Sequence, residues 1–361
     1  MKRRLYERFA TQLGGALDDV ILSALSGRFA RRRASTGRDS EFPHAQDRRA
    51  LLAEAIAFYR RPEILSGERF FRAPPEPRPS EERRGNLPQG GAVVDLKWPS
   101  EFEPSWDAVR ADYLHHEPNR FAYARAFLKP RPAASIICLH GYRSGSFFVE
   151  ERAFVARWLY SLGLNVVLFQ LPFHAKRGGD GAPIWPSVNV ARTNEGFAHA
   201  VFDLRALAGW LARRTDGAPL AMTGMSLGGY TTALYATVEK LAAAAPMIPV
   251  ASFPDLLWAH GEGRPERARA EREGITLAML RDSMAVHTPL ERKPLLDGDR
   301  VLVVSAEGDR IAPPEHATRL ARHFAAEELR FAGGHVLQLG RGDAFRALAR
   351  RLGQLGILPP R

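Results

Sequence analysis

Beyond residue 90, short apolar runs alternate with longer segments whose apolar residues recur every three or four positions. The short runs predict buried strands and the longer segments predict amphipathic helices. Such an alternation favours an α/β fold, with a mostly parallel sheet flanked by helices. The predicted strands cover residues 92–98, 121–128, 134–139, 164–169, 218–223, 245–250, 300–305 and 328–332, and the main helices cover 149–162, 196–211 and 227–238.

The first 88 residues follow a different pattern, which predicts an N-terminal helical extension and a linker ahead of a main domain over 89–361. Helices are predicted over 1–34 and 47–59, and the Pro- and Gly-rich stretch 73–91 is expected to lack regular structure. The apolar stripe of the first helix must be covered by the main domain, by a second copy of the chain or by a membrane surface. This stripe consists of Leu5, Phe9, Leu13, Leu17, Val20, Ile21, Ala24 and Leu25.

A long insertion separates two of the predicted strands, and we expect it to form a small lid over residues 251–298. It contains a charge-rich segment around 264–272 with apolar runs on both sides. Trp258, in the first of these runs, is a candidate for contact with a substrate. Packing between the helices of the lid is the alternative role for this side chain.

A Gly-x-Ser-x-Gly sequence over residues 224–228 lies between a predicted strand and a predicted helix. This is the context of a nucleophile elbow, in which a serine occupies a tight turn at a strand end. The flanking glycines are needed because larger side chains would collide with the neighbouring strand and helix. The turn also sets the N-terminus of the helix behind Ser226, where the helix dipole favours a developing anion. Ser226 is therefore the candidate nucleophile.

Two candidates for the rest of a catalytic triad follow Ser226 in the order Ser, Asp, His. Asp309 comes shortly after one predicted strand, and His335 follows the last predicted strand on a Gly-Gly loop. Such strand ends converge at one edge of an open parallel sheet. Glu307 is the alternative acid, but Asp309 is favoured because the chain beyond Gly308 turns toward the sheet edge.

The strand over 134–139 runs into His140, Gly141 and Tyr142, which provide a candidate oxyanion loop. A His-Gly pair at such a strand end places the next backbone N–H near a reacting carbonyl. The N–H groups of Tyr142 and Leu227 are therefore the candidate oxyanion-hole donors. His140 is interpreted as a residue that braces the loop, not as a proton carrier.

With these motifs in order, the chain resembles the α/β-hydrolase superfamily, in its esterase and lipase-like branches, over residues 90–361. The resemblance implies an eight-stranded, mostly parallel sheet and a serine hydrolase that needs neither a metal nor an organic cofactor. The expected substrate is a small-molecule ester or related acyl compound. Peptide, amide or thioester cleavage by the same triad is one alternative, and a non-catalytic binding protein with this fold is another.

The loop after the strand over 164–169 carries His174, Lys176 and Arg177. It borders the same edge of the predicted sheet, so His174 and Arg177 are candidates to line a substrate pocket. A solvated turn is the alternative interpretation.

Composition and charge narrow the range of partners. The net charge is +11, and only 6 of the 51 basic residues are Lys. A basic chain can bind nucleic acid or an anionic membrane, but the arginines are scattered and not interleaved with aromatic residues, so no nucleic-acid partner is expected. A single cysteine excludes an internal disulfide framework and gives no indication of a zinc site. Without a signal peptide or a long apolar run, a cytoplasmic location is the expectation.

Overall fold

The apolar runs form a central sheet that carries the candidate site along one edge. The structure is a computed structural model and describes residues 7–20, 22, 45–179 and 182–359. In this part of the chain a 9-stranded sheet has the order β1-β2-β3-β5-β4-β6-β7-β8-β9. Along this order the neighbours in β1-β2-β3-β5 pair antiparallel, and the neighbours in β5-β4-β6-β7-β8-β9 pair parallel. The strands are β1 Ser80–Asn86, β2 Ala92–Pro99, β3 Phe121–Leu128, β4 Ser135–Leu139, β5 Asn165–Phe169, β6 Leu220–Met225, β7 Ala243–Met247, β8 Leu302–Ala306 and β9 Glu327–Phe331.

Helices cover both faces of the sheet, so its central strands are buried on both sides. Alternate residues of β4 belong to different apolar clusters, Ile137 and Leu139 to one and Ile136 and Cys138 to the other. Such two-sided burial explains why these strands read as continuous apolar runs. The helices are α1 (residues 7–20), α2 Ala45–Tyr59, α3 Pro62–Leu65, α4 Asp107–Leu114, α5 Phe147–Ala153, α6 Ala156–Ser161, α7 Val190–Arg214, α8 Leu227–Tyr235, α9 Phe253–His260, α10 Pro265–Arg272, α11 Leu277–Met284, α12 Pro314–His323 and α13 Arg341–Gln354.

Strand β1 corrects two expectations, because it adds a strand to the predicted eight and lies in the stretch expected to lack regular structure. It pairs with β2 at the edge of the sheet, and nearly all of its residues are exposed. An exposed edge strand needs no apolar face, so its polar sequence gives no alternating pattern. Arg84 of β1 instead reaches Asp95 of β2, with 2.8 Å between Nε and Oδ2. The sheet thus begins before residue 89, where the main domain was predicted to start.

The single helix predicted over 149–162 is also wrong, since two short helices, α5 and α6, occupy this segment. They are separated at Val155, whose φ of 45° places it in the left-handed region. A β-branched residue rarely adopts this conformation. Both helices still contribute buried residues to one cluster, Phe147 from α5 and Leu159 from α6. The apolar periodicity therefore continues across the break.

Helix α1 packs on the main domain mainly through small residues, and of its apolar stripe Leu17 is partly buried. Ala10, Gly14, Gly15 and Asp18 are buried. Three members of the stripe are instead exposed: Phe9 by 60%, Leu13 by 43% and Val20 by 63%. Leu5, Ile21, Ala24 and Leu25 lie outside the residues whose side chains are described. Contact of the stripe with a second copy or a membrane stays a prediction. No helix in the described ranges has both the length and the apolar character to cross a bilayer.

Candidate active site

Ser226 lies at a sharp turn between β6 and α8. Its φ of 56° and ψ of −112° fall outside the regions that L-residues favour. The turn is held by a hydrogen bond from the Ser226 N–H to the Met247 carbonyl, at 3.0 Å. A Cβ on Gly228 would lie 1.9 Å from the Leu139 carbonyl oxygen, and one on Gly224 would lie 2.3 Å from Gly228 backbone atoms. The chain can make this turn only because both positions are glycine.

The loops after β8 and β9 bring Asp309 and His335 to Ser226. The distance from His335 Nε2 to Ser226 Oγ is 2.8 Å, and that from His335 Nδ1 to Asp309 Oδ2 is 2.6 Å. The other carboxylate oxygen of Asp309 accepts the N–H groups of Ile311 and Ala312, at 3.0 and 2.7 Å. Three strand ends therefore converge on one hydrogen-bonded chain of side chains. These contacts bring together the residues proposed from the sequence as a triad.

The surroundings of His335 favour an imidazole that can take up a proton. Its Nδ1–H faces the Asp309 carboxylate, which leaves Nε2 as the acceptor for the Ser226 hydroxyl. Burial lowers the pKa of His335, but the carboxylates of Asp309 and Asp18 outweigh burial and raise this pKa above its usual value. These carboxylates thus stabilise the imidazolium that forms when Nε2, the nitrogen facing the serine, takes up a proton.

Glu307, the alternative acid, points away from His335. Its side chain is exposed and accepts the Thr11 hydroxyl at 3.2 Å, while its N–H bonds to the Phe331 carbonyl. Asp309 is instead buried and in contact with the imidazole. The turn after Gly308 thus separates the two carboxylates and brings that of Asp309 to the imidazole.

The His-Gly turn after β4 runs beside Ser226. A Cβ on Gly141 would lie 3.7 Å from the Ser226 Cβ. His140 is buried; its Nδ1–H donates to the Gly141 carbonyl at 2.8 Å, and its Nε2 accepts the Leu171 N–H at 3.0 Å. Burial lowers the pKa of His140 to about 4, so the ring is neutral and braces the loop. Leu227 begins α8, so its N–H lies at the positive end of a helix dipole.

The three candidate pocket residues have different surroundings. His174 is buried against the rings of Tyr142 and Trp185, with ring centroids 6.1 and 5.9 Å away. Burial lowers its pKa to about 3, so it is a neutral neighbour of the candidate oxyanion loop. Trp258 is half-buried beneath the Arg267 guanidinium, 4.7 Å from its ring centroid. This packing between α9 and α10 matches the alternative role given to Trp258.

Arg177 requires a correction, because it is fully buried and does not face a solvent-accessible pocket. Its guanidinium lies 2.8 Å from Asp203 Oδ2 and 2.9 Å from His199 Nε2. It also donates to the Asn119 side chain and to backbone carbonyls. The basic loop pattern gave no sign of this interior role, because the partners of Arg177 lie far away in the sequence.

Arg177 belongs to a second group of Ser, His and Asp side chains that the sequence did not reveal. Ser100, His199 and Asp203 are buried together, with 2.8 Å between Ser100 Oγ and His199 Nε2. The Ser100 hydroxyl donates to Asp203 Oδ1 at 2.6 Å. No motif surrounds these residues, and only the i, i+4 spacing of His199 and Asp203 on α7 places two of them on one helix face.

Helix α1 is the other feature of the site that sequence reasoning missed. Its buried residues contact the loops that carry Asp309 and His335. The available signal was the Gly14-Gly15 pair inside a helical pattern, since glycine weakens a helix and often marks a close backbone approach. The described residues hold no group of three or more His, Cys, Asp or Glu side chains placed to bind a metal ion.

Comparison with known proteins assigns the fold. No protein-family model matches the chain. Two uncharacterized proteins of Mycobacterium tuberculosis, from strains CDC 1551 / Oshkosh and H37Rv, are each 31% identical to it over 253 residues, or 68% of this chain. The alignment spans only 60% of the length of these relatives.

Among solved structures, acetyl xylan esterase 1 from Thermoanaerobacterium sp. JW/SL YS485 is 15% identical, with a TM-score of 0.54. The match covers 86% of this chain and 93% of that enzyme. Acetyl xylan esterase from Paenibacillus sp. R4 is 13% identical, with the same TM-score of 0.54 and coverage of 85% and 92%. The chain has the α/β-hydrolase fold, as its motifs predict.

Proposed function

We propose that this protein is a serine hydrolase that cleaves a carboxylic ester or a related acyl bond. The observation that carries the proposal is the hydrogen-bonded chain from Ser226 through His335 to Asp309 at the carboxyl edge of the sheet. Each member has the partner that its role requires. The serine faces an unprotonated ring nitrogen, and the carboxylate fixes the other nitrogen as the donor.

The reaction proceeds through an acyl-enzyme. Ser226 Oγ attacks the carbonyl carbon as its proton passes to His335 Nε2, and the imidazolium then gives that proton to the leaving alcohol. A water molecule, deprotonated by the same nitrogen, attacks the acyl carbon; the acid leaves and Ser226 regains its proton. Asp309 holds the ring in the required tautomer and stabilises its charged form throughout.

Negative charge develops on the carbonyl oxygen in both tetrahedral intermediates. We propose that the N–H groups of Tyr142 and Leu227 receive this oxygen. Two observations support this assignment: the Gly141 turn lies beside Ser226, and Leu227 is the first residue of α8. The positive end of the α8 dipole adds to the stabilisation.

A fluorophosphonate tests the proposal without knowledge of the substrate, since it reacts with an activated serine and yields a tetrahedral adduct. We expect one label per molecule, on the peptide that contains Ser226. Only neutral imidazole acts as the base, so the labelling rate should fall as the pH drops through the His335 pKa. Because that pKa is raised, the loss should begin above the ~6.5 of an ordinary histidine.

A panel of p-nitrophenyl esters of increasing acyl length then addresses the substrate. It should begin with the acetyl ester, because the two similar solved structures are named as acetyl xylan esterases. A folded protein that takes no label near pH 8 and hydrolyses no ester in the panel would contradict the hydrolase proposal and favour a non-catalytic binding protein.

A further inference from the structure

Helix α1 lies directly on the backbone of the two loops that carry the acid and the base. A Cβ on Gly14 would be 2.1 Å from the Gly334 nitrogen, and a Cβ on Gly334 would be 2.5 Å from Gly14 backbone atoms. A Cβ on Gly308 would be 2.3 Å from the Thr11 carbonyl oxygen. Glycines on both sides of the contact therefore let the backbones approach closely.

One charged side chain of α1 is buried at the centre of this contact. Asp18 has no exposed surface, and its carboxylate accepts three backbone N–H groups. Oδ2 accepts the N–H of His335 at 2.7 Å and that of Arg310 at 3.2 Å. Oδ1 accepts the N–H of Val336 at 3.1 Å. The Asp309 and His335 loops are thus joined through a single carboxylate.

We propose that Asp18 is a positioning residue, which holds the His335 loop and the Asp309 loop in their reactive arrangement. This inference rests on the proposed hydrolase function. The loops are also joined directly, by a bond of 2.8 Å from the Gly308 N–H to the Gly333 carbonyl. That bond links the two loops to each other, but it does not involve the backbone N–H of His335, whose acceptor is the Asp18 carboxylate. Asp18 supplies this acceptor from a third element.

A carboxylate suits this position better than a neutral side chain. Its two oxygens accept all three donors, whereas an amide replaces one oxygen with an NH2 group that cannot accept. Hydrogen bonds to a charged acceptor are also about twice as strong as neutral ones. The negative charge lies close enough to His335 to contribute, after Asp309, to the raised pKa of the ring. Asp18 therefore influences both the position and the basicity of His335.

The test compares Asp18→Asn with Asp19→Asn in the full-length protein. Asp19 is the matched control, because it is half exposed and pairs with the Arg310 side chain, with 2.9 Å between Oδ2 and Nη1. The measurements are the fluorophosphonate labelling rate against pH, and hydrogen exchange of the backbone amides of residues 333–337. Circular dichroism establishes that each variant is folded.

We expect Asp18→Asn to slow labelling by about 10-fold to 100-fold, the usual consequence of a small misplacement of a catalytic group. The pH at half-maximal rate should fall, because Asp18 no longer adds its negative charge to that of Asp309 beside His335. The amides of His335 and Val336 should exchange faster. Asp19→Asn should match the native protein in all three measurements.

Gly14→Ala provides a second variant that keeps Asp18. Alanine favours the helix itself, but its Cβ would force α1 away from Gly334. We expect slower labelling of a folded protein here too. If Asp18→Asn does not fold, a native labelling rate in Gly14→Ala overturns the proposal.

The outcomes separate this inference from the proposed function. If the native protein labels at Ser226 and folded Asp18→Asn labels at the same rate, with an unchanged pH midpoint, Asp18 does not position the base although the hydrolase proposal stands. If the folded native protein takes no label near pH 8 and hydrolyses no ester in the panel, the hydrolase proposal fails. Hydrogen exchange then decides the role of Asp18 alone: faster exchange in Asp18→Asn supports it, and unchanged exchange overturns it.

Discussion

Two groups of Ser, His and Asp side chains occur in the described part of this molecule, and they differ in which ring nitrogen of the histidine the carboxylate contacts. In both, a serine oxygen lies 2.8 Å from a histidine Nε2. In the first group the carboxylate of Asp309 contacts the opposite nitrogen of the ring. In the second, the carboxylate of Asp203 contacts the same nitrogen as the serine, at 3.1 Å. Only the first arrangement links a carboxylate, an imidazole and a serine hydroxyl in a line.

The proton of each serine also has a different destination. The Ser226 hydroxyl has the imidazole of His335 as its acceptor, whereas the Ser100 hydroxyl donates to the Asp203 carboxylate. Arg177 pairs with the same carboxylate, and burial lowers the pKa of His199. This second group of Ser100, His199 and Asp203, the inner group, is thus a neutralised network that connects the segment after β2, helix α7 and the Arg177 loop. Residue identity alone does not make a catalytic site.

Replacement of the two serines by alanine should give the largest difference between the groups. Ser226→Ala is expected to lower ester turnover by up to about 10⁶-fold, because triad members act as a unit. Ser100→Ala should keep the turnover of the folded protein and lower its free energy of unfolding by about 1–3 kcal/mol, because buried acceptors lose a donor. Kinetics and denaturant unfolding measure the two effects. Equal loss of turnover in both variants would contradict the distinction.

Replacement of the two candidate acids should give the next largest difference in turnover. Asp309→Asn should reduce turnover by about 10⁴-fold, since an amide no longer holds His335 in the tautomer that accepts the serine proton. Glu307→Gln, the matched control two positions away, should change turnover little because its exposed carboxylate contacts only Thr11 among the described side chains. Steady-state kinetics on one ester compares them. The reverse ranking would assign the acid to Glu307.

Removal of the charge that neutralises the inner group should have a smaller effect, on stability alone. Arg177→Met leaves the Asp203 carboxylate buried without its cation, and we expect a loss of about 3–5 kcal/mol in the free energy of unfolding. The labelling rate of the folded fraction at Ser226 should stay within a few-fold of native. A slow labelling rate with native stability would instead support the original prediction that Arg177 lines the substrate pocket.

The central sheet and the candidate triad could be predicted from sequence because local patterns encode them. Buried parallel strands require continuous apolar runs, and a serine on a strained turn requires glycine on both sides. Strand order then places Asp309 and His335 at the same edge as Ser226. Each of these inferences needs only a few neighbouring residues.

The features that were missed depend on contacts between distant segments. Strand β1 is polar because it lies at an exposed edge, so it carries no apolar signal. The burial of Arg177 depends on Asp203, which lies on a separate element, helix α7. Asp18 is buried because backbone N–H groups bond to its carboxylate. A side-chain motif in the sequence cannot indicate bonds to backbone groups.

The contact between Asp18 and the His335 loop also bears on when the candidate site is completed during synthesis of the chain. The hydrogen bond from the His335 N–H joins residues 317 positions apart in the chain. Helix α1 therefore leaves the ribosome long before its binding surface exists, and that surface forms only after β8 and β9 have been made. Contacts between such distant segments form late in folding, because they carry the largest loop-closure cost. A nascent chain that already contains Ser226 should consequently stay unreactive toward acyl groups until the rest of the sheet has been added.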